Sequence, residues 1–132
     1  MIKYSIKTAS SVIEGRGVFA AAKIPGRRKI GDVTGEIISV RTARKRAKGK
    51  CRICLIDLSN THALDCTGGN ALRLLNHSCR SNAYLRICRN RVEVYAKRDI
   101  KKGEEITVDY VESAHSGGMK CGCGKKECRD TI

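Results

Sequence analysis

Apolar residues along this chain fall in short runs separated by glycine-bearing or polar turns, a spacing that predicts strands rather than long helices. Ile2 to Ile13 carries enough β-branched residues for a first strand, with Ser10 and Ser11 in a turn. Gly15, Arg16 and Gly17 then bracket a tight turn into an apolar strand over Val18 to Ala22. Pro25-Gly26 makes the next turn, and Lys29 to Val40 reads as two short strands interrupted by Gly31 and Gly35. Ala43 and Ala47 allow a helix in the Arg41 to Arg52 stretch, and Gly49 can end it. Cys54 to Leu58 reads as a buried strand, Asn60 to His62 as a turn, Ala63 to Cys66 as a short strand and Thr67-Gly68-Gly69 as another turn. Asn82 to Cys88 and the alternating Arg91 to Ala96 flank Arg89-Asn90 as a hairpin. Lys101-Lys102-Gly103 leads into a last strand, Glu104 to Tyr110, and Glu112 to Gly118 reads as a link.

One stretch breaks this pattern. Residues 69–79, GNALRLLNHSC, hold Leu72, Leu74 and Leu75 beside Asn70, Arg73, Asn76, His77, Ser78 and Cys79. The leucines ask for burial, and the polar groups cannot be buried unpaired. Alone, the stretch fits a short buried strand with a polar turn, in which His77 is a satisfied core histidine, as well as it fits a site.

Length and charge narrow the picture. With 132 residues one domain with a modest core is expected. No 18-residue apolar run is present, so no membrane span is expected, and the N-terminus lacks the apolar stretch of a secretory signal. These readings predict an intracellular protein, cytoplasmic or nuclear, rather than a secreted one. The formal charge of +14 comes from 27 basic against 13 acidic residues, which attracts polyanions and repels a free basic peptide. Seven of the twelve residues from Arg41 to Arg52 are basic, either a solvated face or a contact for nucleic acid or an acidic partner.

Eight cysteines could form four disulfides, but nothing addresses the chain to an oxidising compartment, and their clustering suggests metal for some and burial for others. Cys51-x-x-Cys54 is ambiguous among half a zinc site, a redox pair and buried structure. Cys121-x-Cys123-x4-Cys128 is sharper, with three thiols close together where tetrahedral zinc takes four ligands.

Four motifs, GRGVFA (15–20), GNALRLLNHSC (69–79), GEEITVDY (103–110) and CGCGKKEC (121–128), resemble the SET-domain protein lysine methyltransferases in content, order and spacing. The resemblance spans about Glu14 to Ile132. It implies a mostly β, β-clip-like SET fold of short curved sheets around a pseudoknot, with few short helices and a zinc-bound C-terminal tail. Residues 1–111 would be the SET domain, with 41–52 as a basic variable insert, and 112–132 the post-SET zinc-binding segment. The implied cofactor is S-adenosylmethionine (SAM), held by Arg16, Gly17, Arg73, Asn76, His77, Tyr110 and Ile132. Tyr110 matches the essential catalytic tyrosine, and Cys54, Val108 and Tyr110 would line the lysine channel. Cys79 would join Cys121, Cys123 and Cys128 on zinc, and Asp109 would buttress the knot.

Two departures stand out. Val33 replaces an aromatic residue common in the family, and Cys54 replaces a channel tyrosine. With Val108 where an aromatic residue is frequent, the channel is expected to be roomy enough for more than one methyl. Lysine methylation needs a neutral amine, although free lysine has a pKa of about 10.4, so the site must desolvate it and align it with the methyl donor. The implied substrate is a lysine of a histone tail or another nucleic-acid-associated protein, with nucleic acid a further partner for the basic surface. Two other readings compete: a catalytically weak or inactive SET-like module that binds nucleic acid or nucleoprotein, and a purely structural zinc module.

Overall fold

The computed structural model describes residues 2–48 and 54–109. The strand-forming runs pair early: β1 (Ile6–Ser10) and β2 (Arg16–Ala20) form an antiparallel hairpin closed by Ser11 N–H donating to the Gly15 carbonyl at 2.8 Å. Next come β3 (Lys29–Val33) and β4 (Glu36–Ser39), then helix α1 (Val40–Ala47). β5 (Leu55–Asp57) and β6 (His62–Asp65) follow, then a 3₁₀ turn (Ala71–Leu74) and the two-residue β7 (Asn76–His77). The chain then forms β8 (Ala83–Cys88), β9 (Arg91–Ala96) and β10 (Glu105–Val108).

These strands make three small sheets among the described residues, ordered β1-β2-β10-β7, β3-β9-β8 and β4-β6-β5. Every pairing is antiparallel except β10 with β7, where Thr107 faces Asn76 and Val108 faces His77 in parallel. The alternation expected of a half-covered sheet is clear in β9, whose Val92, Val94 and Ala96 are buried. They join Val18, Ile30, Leu72, Ile106 and Val108 in one core. The predicted β8–β9 hairpin is present, with Arg89 and Asn90 at φ 51° and 62°, the left-handed pair that suits the strand twist.

Helix α1 starts where Ser39 Oγ accepts from Thr42 N–H at 3.1 Å, and its last turn carries Arg44, Lys45 and Arg46 where the helix dipole favours cations. Ala43 packs on Ile38 and Ala63 in a second, smaller cluster. Arg46 bonds Glu36 and Asp65, tying the helix to β4 and β6.

Three expectations change. Of the two readings open for the stretch around Leu72, the short strand is reduced to Asn76–His77 and a 3₁₀ turn precedes it, because side chains and turn contacts, not a sheet ladder, satisfy residues 71–74. Asn70 N–H donates to Thr34 Oγ1, Asn70 Nδ2 to the Asp32 carbonyl at 2.7 Å, and Arg73 Nη1 to the carbonyls of Gly69 and Asn70. A Cβ on Gly69 would run into the Thr34 backbone, so only glycine lets the two loops meet. The strand at Cys54 begins at Leu55 and is half-buried, since it pairs with β6 alone and forms a sheet edge. The argument against disulfides fails at one pair: β5 and β6 bring Cys54 and Cys66 to a Cα separation of 5.2 Å, and they are bonded.

Candidate active site

Asn76 lies on β7, the shortest strand among the described residues, and its side chain is heavily tethered. Its Nδ2 lies 3.1 Å from the Glu14 carbonyl, 3.2 Å from the Arg16 carbonyl and 2.9 Å from Glu105 Oε2. Glu105 is held from behind by Ser11 Oγ, which donates to Oε1 at 2.7 Å. Three acceptors around one amide nitrogen fix which end of the amide is which. The Asn76 oxygen carries no hydrogen bond among the described residues, so it is an acceptor aimed by the rest of the network. Such an acceptor suits an ammonium group or another donor.

Gly17 sits on β2 and not in the expected turn, and its surroundings explain why the strand must be bare there. A Cβ at this position would meet the Glu105 carboxylate and come within 3.0 Å of Asn76 Nδ2. The glycine therefore makes room for the Glu105–Asn76 contact. Arg16 contributes its carbonyl to Asn76, while its guanidinium bonds Thr8 on the neighbouring strand at 3.0 Å.

His77 is 4% exposed in its side chain, with Nδ1 3.7 Å from Asp109 Oδ1 and Nε2 3.2 Å from Cys79 Sγ. The parallel β7–β10 pairing creates this arrangement, because Val108 sits opposite His77 and Asp109 follows it. Ser78 N–H donates to the Val108 carbonyl at 3.1 Å and extends the ladder by one residue. Asn82, 3% exposed, acts as a surrogate strand: Nδ2 donates to the Glu105 carbonyl at 2.8 Å and Oδ1 accepts from Thr107 N–H at 2.9 Å. Segments 76–82 and 105–109 are thus laced together by main chain and side chain alike.

The fold gathers Gly17, Asn76 and the Arg16 carbonyl in one group, and His77, Cys79, Val108 and Asp109 in an adjoining one. Arg73 directs Nη1 at its own turn, and its role there is to pin the segment. Val108 is 1% exposed and Val33 5%, both within the main core. Cys54 packs against that core with its sulfur bonded to Cys66. Tyr110, Cys121, Cys123, Cys128 and Ile132 lie outside the described residues. Among the described residues no three His, Cys, Asp or Glu side chains are grouped to hold a metal. No described helix is long and apolar enough to cross a membrane.

Sequence reasoning passed over Glu105, Ser11 and Asn82. The available signal was the strand alternation of GEEITVDY, which sends adjacent glutamates to opposite faces of β10.

Residues 15–111 match the family model described as the SET domain. The chain belongs to the SET-domain family. It is 36% identical to histone-lysine N-methyltransferase set-2 of Caenorhabditis elegans over 96% of this chain and 9% of the relative. Against the H3 lysine-4 specific histone-lysine N-methyltransferase of Schizosaccharomyces pombe it is 34% identical, over 96% of this chain and 15% of the relative. Among solved structures, a chain in the crystal structure of an active polycomb repressive complex 2 in the basal state matches with a TM-score of 0.74 and 28% identity. That match covers 81% of this chain and 15% of the other. The SET domain here spans at most 15% of the length of the first three curated relatives. The mostly β architecture expected for a SET domain is the one found, with short sheets and one α-helix among the described residues.

Proposed function

We propose that this SET domain is a protein-lysine N-methyltransferase that moves methyl groups from SAM to a lysine of a histone or another nucleic-acid-associated protein. The observation that carries the reading is the tethered Asn76 amide beside Gly17, at the family's motif positions, in a chain whose relatives are named histone-lysine N-methyltransferases. When bound, SAM supplies an electrophilic methyl on a positively charged sulfur. The residues fit such a group: the Asn76 oxygen is an acceptor for its ammonium, and the buried Asn70 oxygen is a second acceptor without a partner among the described residues. Arg16, Gly17, Arg73 and His77 border or pin this region, and Ile132 is assigned to the adenine end.

For the transfer itself, the chain must strip water from a lysine amine and hold it in line with the methyl. Val108, on β10 immediately before Asp109, supplies a small apolar side chain at the channel position. Tyr110 is assigned the catalytic role of orienting the amine through its hydroxyl. A small side chain at 108, with cysteine at 54, leaves room for a second methyl on the nitrogen. Cys79 offers a half-buried thiol, the donor type zinc takes, and is proposed to join Cys121, Cys123 and Cys128 in a site that braces the C-terminal tail. The proposed location is intracellular, where histones and nucleic-acid-bound proteins are found.

Calorimetry with SAM on the zinc-loaded chain tests the reading. Binding is expected to survive Tyr110→Phe, to fall by at least about tenfold in Asn76→Ala with one hydrogen bond lost, and to weaken on zinc chelation. Mass spectrometry of the product is expected to show di- or trimethyl-lysine. Absence of SAM binding by the native chain overturns the reading.

A further inference from the structure

Away from the Asn76 network the fold collects cations from distant parts of the chain around the end of β9. A cleft of about 860 Å³ there is lined by Arg80, Lys97, Arg98, Lys101 and Lys102, with Ser81 and one carboxylate, Glu104. Arg98 Nη2 lies 2.5 Å from Glu104 Oε2, and Lys101 N–H donates to Glu104 Oε1 at 3.0 Å. The Arg98 guanidinium holds the Glu104 carboxyl down to about 2, so this acid stays ionised and internally bonded. Lys97 Nζ donates to Ser81 Oγ at 3.0 Å.

The basic surface continues past β9. Arg27 N–H donates to the Ala96 carbonyl at 2.9 Å, and Ala96 N–H to the Arg28 carbonyl at 3.0 Å, which sets the Arg27-Arg28 turn beside Lys97-Arg98. A second cleft opens there, lined by Lys3, Tyr4, Arg27, Arg28 and Lys29. Of the other acids nearby, Asp99 accepts from Gly26 N–H at 2.7 Å and pairs with Lys23 at 3.6 Å, while Asp32 and Glu93 pair with Lys29 at 2.9 and 2.7 Å. Nine cations from four regions of the sequence thus line the two clefts, and the carboxylates beside them, Glu104, Asp99, Asp32 and Glu93, are already bonded within the protein.

We infer that this surface, centred on Arg80, Lys97, Lys101 and Lys102, is a docking site for the phosphate backbone of double-stranded nucleic acid. The lining argues for that occupant. Among the described residues no apolar side chain lines the larger cleft, whereas a protein partner buries an apolar centre. Nor do the described residues give that cleft an aromatic face on which unpaired bases would stack. A polar, strongly cationic trench of Lys and Arg matches the sequence-independent part of duplex binding. Such docking also removes the repulsion between a +14 chain and a basic substrate, because the duplex carries the substrate's countercharge. That purpose rests on the methyltransferase reading, whereas the binding itself does not.

The test is fluorescence anisotropy of a labelled 20-base-pair DNA of arbitrary sequence with the full chain, without SAM or peptide, at salt from about 50 to 200 mM. Tight binding at low salt with a steep linear loss against log salt is expected. Lys101→Glu/Lys102→Glu, at exposed positions, should weaken it by about tenfold or more and reduce the salt slope by about 2. Reversing Arg44 and Lys45 on α1 should cost less. The inference is overturned by no duplex binding at the lowest salt, by loss that follows α1 and not Lys101 and Lys102, or by polyglutamate binding in place of duplex. The last result would assign the surface to an acidic protein. A chain that binds duplex but transfers no methyl keeps this inference and loses the earlier one; melting curves confirm that each variant is folded.

Discussion

Ser11 holds Glu105 from behind while Glu105 holds Asn76 from the front, so the acceptor face of Asn76 depends on both. On the proposed function Glu105 is therefore a positioning residue. Glu105→Ala removes the charged acceptor and leaves the amide to the Glu14 and Arg16 carbonyls, a loss of about 1.5–3 kcal/mol, and should raise the Kd for SAM roughly ten- to hundredfold. Glu105→Gln can still offer one oxygen to Asn76 and should retain most of the affinity. Calorimetry well below the melting temperature decides: a merely structural role would lower Tm for Glu105→Ala and leave Kd unchanged. The neighbouring Glu104 faces the basic cleft instead. Sequence shows two adjacent glutamates and an alternating strand, yet which of them meets Asn76 depends on a β2–β10–β7 pairing made by residues far apart in the chain. For that reason Asn76 was legible as a candidate from its motif and its clamp was not.

Elements set by local signals were legible. The alanines of α1, the β8–β9 alternation and the turn at Gly15 each state their structure within a few residues. Elements decided by distant partners were misread. Leu72, Leu74 and Leu75 suit a strand equally well, and only the hydrogen bonds from Asn70 to Thr34 and Asp32 choose the 3₁₀ turn. The Cys54–Cys66 bond belongs to this class too, since it depends on the β5–β6 register and closes a separation of 12 residues. Opening it should cost roughly 3 kcal/mol by the loop-entropy argument and lower Tm by roughly 10 °C. Thermal melts with and without reductant, alongside the Cys54→Ser/Cys66→Ser double variant, provide the check. A Tm unmoved by reductant, with thiol titration showing the bond opened, would refute the stabilising role.

At the scale of the molecule the dominant quantity is charge. A chain at +14 repels a free basic peptide over a range set by salt, with a Debye length of about 8 Å at physiological ionic strength. The KM for a free lysine-rich peptide should therefore fall as salt rises from about 20 to 150 mM, opposite to the behaviour of an attracted substrate. Steady-state kinetics over that range measures it, and a KM that climbs with salt would point to an acidic substrate groove. Net charge was readable from composition, but its concentration around the end of β9 was not, because Arg27-Arg28, Arg80 and Lys101-Lys102 meet only in the fold.

The Ser11–Glu105 bond joins residues 94 apart, and it has a bearing on how the protein is made. During synthesis the β1–β2 hairpin leaves the ribosome early, and Asn76 follows with the strand that will hold it still missing. At about 5–20 residues per second the first hairpin waits several seconds for β10. Until then β2 has an open edge and Asn76 has lost its Glu105 partner, while the β8–β9 hairpin can already form on β3. The Asn76 network, proposed above to hold the methyl donor, is accordingly among the last parts of this domain to take shape, and a nascent chain stalled before Glu105 would be folded in part with that network incomplete.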